Sequence, residues 1–143
     1  MLIRLAAATV VGGIVFFVVG FLIYGLFLDP AVMRPNMNEF AGLIKEVPDW
    51  APLIIANLVS ALLFAWIYDA LAGIRSFAAG AKAGAIIMAL ISLSLQLMFY
   101  AFWNLHKNLV PVVADLAGSL VMGAIGGGAI AAVLGAMQKK DAT

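Results

Sequence analysis

The chain has 143 residues, of which 66% are hydrophobic and 10% charged, with a mean hydropathy of +1.14; a soluble domain carries roughly 25% charged residues. That composition excludes a soluble globule, while 15.0 kDa suits a few membrane helices of about 20 apolar residues each. The net charge of +1 comes from 8 basic and 7 acidic residues scattered singly, so no basic stripe tracks a phosphate backbone and no nucleic-acid partner is expected. Cysteine is absent, which removes disulfides, thiolate zinc sites and iron–sulfur clusters. The single histidine, His106, cannot form a multi-histidine metal site within one chain. No metal and no cofactor are expected.

Charge-free runs locate the spans, because Asp, Lys or Arg at a helix centre costs about 2.5 to 3.5 kcal/mol on insertion. The first run, 5–28, carries no ionisable side chain except Tyr24 and reaches about 36 Å at 1.5 Å per residue, more than the hydrocarbon thickness. It is too long for a signal core and ends in Phe27-Leu28-Asp29-Pro30, a helix stop and not a cleavage site, so it reads as a retained anchor. The connection that follows has its own helical pattern. Asn36 and Glu39 resemble a capping box, and Phe40, Leu43, Ile44 and Val47 fall on one face, predicting a short interfacial helix over 37–47, closed by Pro48 and anchored by Trp50. Further spans are predicted over 51–72, 81–104 and 109–137, the last with Pro111 in its first turn, where the missing N–H is harmless.

The expected architecture is an all-α membrane protein. It comprises one transmembrane domain over 1–143, an antiparallel four-helix bundle in which short loops make consecutive helices neighbours. Arg4, Arg75, Lys82, Lys139 and Lys140 gather on one side against Arg34, Lys45 and Lys107 on the other, which predicts cytoplasmic termini. Asp69, at the cytoplasmic end of the second span, is expected to pair with Arg75, Lys82 or Arg4.

Gly123, Gly127, Ala131 and Gly135 place a small residue at every fourth position of the last span. Such a ladder allows close backbone approach in lipid, where no hydrophobic drive joins helices. Two readings stay open: an intramolecular seam with Gly12, Gly13 and Gly20 or with Gly80 and Gly84, or a homodimer or partner-subunit seam.

Depth singles out the polar residues. Tyr24, Asn57, Ser60, Gln96, Tyr100, Asp115 and Ser119 come from all four spans, and all fall about 6 to 14 Å inside the same leaflet at 1.5 Å per residue. With Asn104 and His106 at the mouth, they are the candidate ligand-binding residues of an outward-facing polar pocket. Asp115 is the central one, since an intramembrane carboxylate needs a donor and should face Gln96, Asn57 or Tyr24, or contact water at the pocket mouth. Equally, it reads as an interfacial acid near a helix N-terminus. A proton relay between His106 and Asp115 is also conceivable across that helix start. No serine or cysteine nucleophile motif accompanies these groups, so no catalytic residues and no enzyme are expected.

Three segments carry a resemblance: Gly20-Phe21-Leu22-Ile23-Tyr24-Gly25-Leu26-Phe27, then Asn104-Leu105-His106, then Asp115-Leu116-Ala117-Gly118 leading to Leu120-Val121-Met122-Gly123-Ala124-Ile125. In order and spacing the chain resembles a small bacterial family of four-helix integral membrane proteins of unknown function. Ile23 stands where that family's pattern has Trp, and no aromatic follows Gly118. The resemblance implies a fold and a bacterial inner membrane as its location, and no activity.

Two functions are carried forward. The first is a non-enzymatic membrane protein, an accessory subunit or a binder of a lipid-like or small amphipathic molecule, with membrane lipids as its partners. The second is an oligomeric small-solute or ion transporter or channel using Asp115.

Overall fold

The computed structural model describes residues 2–141, with side chains described up to 138. Its regular structure is helical, apart from one isolated bridge between Met37 and His106. Helix α1, Leu2–Gly20, runs on through wide turns over Phe21–Met33 and one tight turn over Arg34–Asn36. Helix α2, Trp50–Trp66, likewise ends in wide turns over Ile67–Ala72; α3 is Phe77–Phe102 and α4 is Val110–Asp141. Four helical stretches, Leu2–Asn36, Trp50–Ala72, Phe77–Phe102 and Val110–Gln138, are long and apolar enough to cross a membrane.

Local chemistry sets the helix ends. At Gly73 the backbone takes φ +62°, a left-handed conformation that closes the α2 stretch and that glycine adopts without a Cβ penalty. The Ser76 hydroxyl then accepts the Ala79 N–H at 3.4 Å to cap α3, and Asn108 Oδ1 accepts the Val110 N–H at 2.9 Å ahead of Pro111.

Two expectations fail in the first connection. Pro30 does not stop the first helix, because the turns around it have widened. The Arg34 N–H donates to the Asp29 carbonyl five residues back, and this looser spacing relieves the crowding that a proline ring brings to an ordinary α-turn. Nor does the 37–47 stretch form an interfacial helix; it is a series of turns. The Asn36 amide donates back to the Val32 carbonyl rather than capping forward. Met37 is extended and bridged to His106, and Gly42 sits at φ +77°. The Asn36 carbonyl, which would accept the first bond of such a helix, instead accepts the Lys107 N–H at 2.9 Å, and Asn38 N–H donates to Leu105 O at 2.7 Å, which holds this backbone extended against the α3–α4 connection.

Glycines decide which helices touch. A methyl built on Gly12 would lie 2.5 Å from Ile130 and 3.0 Å from the Ala61 Cβ, so α1 is wedged between α2 and α4. The ladder on α4 packs on α3: Gly123 against Gly84, Gly127 against Gly80 and Gly84, Ala131 against Gly80, and Gly135 against the Arg75 carbonyl where α3 begins. The ladder seam is therefore intramolecular. Consecutive helices α2 and α3, expected as neighbours, scarcely meet beyond the bond from the Tyr68 hydroxyl to the Gly80 carbonyl, 2.8 Å. Placement of small residues, and not loop length, set the order α2, α1, α4, α3.

The buried core lies in the half of the bundle near the termini. Phe16 and Phe64 meet edge to face at 5.5 Å, Phe64 and Tyr68 at 5.9 Å, with Ala61, Ala65, Ile130 and Leu134 around them. Beneath it Asp69, whose side chain is 3% exposed, pairs with Arg4 at 2.9 Å and with Arg75. Arg75 also donates to the Tyr68 and Ile74 carbonyls and to Gln138 Oε1. Of the three cations considered for Asp69, Lys82 is exposed and takes no part. The side chains of Lys139 and Lys140 lie outside the described residues.

Candidate functional site

The polar residues singled out by depth do not converge on one pocket. They fall into a seam between α3 and α4 and a cleft beside α1 and α2. Depth along a helix is legible from residue number, but the neighbour a side chain meets depends on helix rotation and on which helices pack.

In the seam, the Ser92 hydroxyl donates to the Asp115 carboxylate. The Tyr24 hydroxyl donates to the backbone carbonyl of Asp115 at 3.2 Å and shares a hydrogen bond with Ser119 Oγ at 3.0 Å. Asp115 is thus half-buried, with Ser92 on its carboxylate and, of the three neighbours expected, Tyr24 against it at its backbone carbonyl; Gln96 and Asn57 make no hydrogen bond to it among the described residues. His106, 8% exposed, bonds through Nε2 to Gln96 Oε1 at 3.1 Å, and its ring lies 5.8 Å from that of Tyr100. The His106 side chain is therefore engaged with Gln96 and makes no bond to Asp115, so no His106–Asp115 relay is formed. Asn104 lies at the exposed end, where its carbonyl accepts from the Asn38 amide at 2.9 Å. Together Asn36, Asn38, Asn104, His106 and Lys107 clasp the α1–α2 connection to the α3–α4 connection. Most polar groups of this seam satisfy one another, but the buried His106 Nδ1 has no hydrogen-bond partner among the described residues, and those residues contain no group of three metal-ligating side chains.

The cleft is a different kind of space. It has a volume of about 580 Å³ and opens between the second half of α1's span, the start of α2 and the 44–50 segment, with Met122 of α4 behind it. Its inner wall is Phe16, Phe17, Phe21, Leu53 and Met122. The spacing of Phe17 and Phe21 puts both rings on one helical face, and Phe17 packs toward Trp50 with ring centroids 6.3 Å apart. Tyr24 and Asn57 add polar groups part-way up, and Asp29, Arg34, Lys45 and Glu46 form the rim.

Of the sequence candidates, only Tyr24 and Asn57 line this cleft. Asn57 donates to the Leu53 carbonyl one turn back; Ser60, a turn deeper, is half-buried and makes no side-chain hydrogen bond among the described residues. Sequence reading missed the aromatic wall and the charged rim. A signal for the wall was present in the i, i+4 pair Phe17 and Phe21 followed by Trp50, but the rim residues come from a segment read as a helix. Without the turns at 37–49, Lys45 and Glu46 would have no path back to α1.

No family model matches the chain, and neither do any curated proteins or solved structures, so the three resembling segments carry no family assignment.

Proposed function

We propose that the chain is a non-enzymatic integral protein of a bacterial inner membrane. In this reading it forms an antiparallel bundle with both termini cytoplasmic and holds a lipid-like amphiphile in the cleft beside α1 and α2. The observation that carries this reading is the gradient along the cleft, from Phe16, Phe17 and Met122 inside, past Tyr24 and Asn57, to four charged residues at the rim. Sites for small molecules are concave and mostly apolar with a few placed polar groups, and an acyl chain with a polar head matches this gradient end for end. The volume of about 580 Å³ is within the range of ligand pockets and holds part of one chain plus a head, not a whole two-chain lipid. The second chain of a diacyl lipid stays in the bilayer, against the exposed faces of α1 and α2.

The transporter or channel reading is supported less well. It calls for pairing of chains, and the ladder that would serve is packed against Gly80 and Gly84. Its key residue, Asp115, is engaged by Ser92 outside the cleft.

The test is retention of lipid through purification, read by native mass spectrometry. Gly25→Leu puts a side chain into the cleft, and its nearest obstacle is the Phe21 ring, 3.1 Å from the new Cβ and itself exposed, so the fold tolerates it. Wild type should carry a bound lipid of defined mass, and Gly25→Leu should lose most of it. Equal retention by both, or none by wild type, contradicts the reading.

A further inference from the structure

The rim of the cleft has a charge pattern more specific than "polar". Two cations and two carboxylates line it, Arg34 and Lys45 with Asp29 and Glu46. Arg34 Nε is bonded to Asp29 Oδ2 at 2.8 Å, and Lys45 is paired with Asp49 one turn on. Both cations therefore already face a carboxylate. Glu46 takes part in no hydrogen bond or ion pair among the described residues. One negative charge is left unmatched at the mouth, and Trp50, which lines the same cleft, offers an indole face on which cations are stabilised.

We propose that the occupant of the cleft is a membrane lipid whose head group carries both a phosphate and an ammonium, with Glu46 and Trp50 taking the ammonium and Arg34 and Lys45 the phosphate. This rests on the amphiphile-binding reading above and specifies its head group. The donors for the phosphate are in place despite the ion pairs. A guanidinium has five N–H groups and an ammonium three, and Arg34 and Lys45 each use only one in the bonds to Asp29 and Asp49. An anionic head without an amine would meet Arg34 and Lys45 in the same way but would leave Glu46 facing a like charge. The acyl chain then follows Phe21, Phe17 and Leu53 inward.

The experiment presents the purified full chain with mixed micelles holding equal amounts of dioleoyl phosphatidylethanolamine and dioleoyl phosphatidylglycerol, which share chains and phosphate and differ in the amine. Native mass spectrometry reads the ratio of the two bound lipids. Wild type should favour phosphatidylethanolamine by about fivefold, the scale of one partly exposed ion pair. Glu46→Gln should bring the ratio near one, and Glu46→Lys should reverse it. Glu46 is exposed in a turn segment, so neither change threatens folding. Binding that is lost in Gly25→Leu but shows no head-group preference, or prefers phosphatidylglycerol in wild type, overturns this proposal and leaves the amphiphile reading standing. A clear wild-type preference that survives Glu46→Gln unchanged also overturns it. Absence of both lipids from wild type overturns this proposal and the amphiphile reading together.

Discussion

Asp115 shows how a residue's environment can differ from what its position suggests. Its depth and its Tyr24 neighbour are legible from the sequence, but the donor on its carboxylate is not. Ser92 shares one face of the third span with Gln96 and Tyr100, at i, i+4 and i+8, but its bond to Asp115 depends on the α3–α4 register set by Gly84 and Gly123. Magnitudes separate the consequences of changing it. Asp115→Asn keeps an oxygen for the Ser92 hydroxyl, so the thermal midpoint in detergent should stay close to wild type. Asp115→Leu strands that hydroxyl, which is 8% exposed. A helical serine can still turn back to the carbonyl four residues earlier, so the loss should be only about 1 kcal/mol, as for other hydrogen bonds in membrane bundles. In a Ser92→Ala background, Asp115→Leu should cost almost nothing more. Full additivity of the two substitutions, measured by thermal unfolding, would mean that the bond does not exist.

At the scale of elements, the helices themselves were legible because uncharged runs of this length admit few alternatives. Their partners were not, since in lipid the preference for a neighbour comes from van der Waals fit rather than from hydrophobicity. The fate of 37–47 makes the same point in the opposite direction. Phe40, Leu43, Ile44 and Val47 do have helical spacing, but Asn36, Asn38, Leu105 and Lys107 draw that backbone into a clasp between loops, a tertiary effect that spacing cannot reveal. Two glycines of similar appearance in the sequence separate sharply here. Gly84 lies against the Gly123 backbone, which cannot move aside without parting the helices, whereas the nearest atom to a methyl on Gly20 would be the end of the Met122 side chain at 3.3 Å. Gly84→Val should cost about 3 kcal/mol by overpacking; Gly20→Ala should stay within about 0.5 kcal/mol of wild type. Thermal midpoints of the two variants in the same detergent check the contrast, and equal shifts would contradict the α3–α4 seam described above.

Across the whole molecule, the core and the buried Arg4–Asp69–Arg75 cluster make the half near the termini tight, while the opposite half is looser and holds the cleft. Breaking a buried ion pair by removing one partner typically costs about 3 to 5 kcal/mol, so the tight end is a firm base for the cleft that the far ends of α1 and α2 line. That division suits a protein that holds a guest between helices without unfolding them. The central claim is that an acyl chain enters the cleft, and photolabelling tests it most directly. A lipid with a diazirine in its chain, irradiated with the protein in vesicles and mapped by peptide mass spectrometry, labels every lipid-facing residue weakly and without saturation; Leu90 on α3, 63% exposed, serves as that reference. The account predicts saturable labelling of Phe17, Leu53 and Met122 that unlabelled lipid competes away and that Gly25→Leu abolishes. Labelling of these three residues no different from that of Leu90 would contradict it.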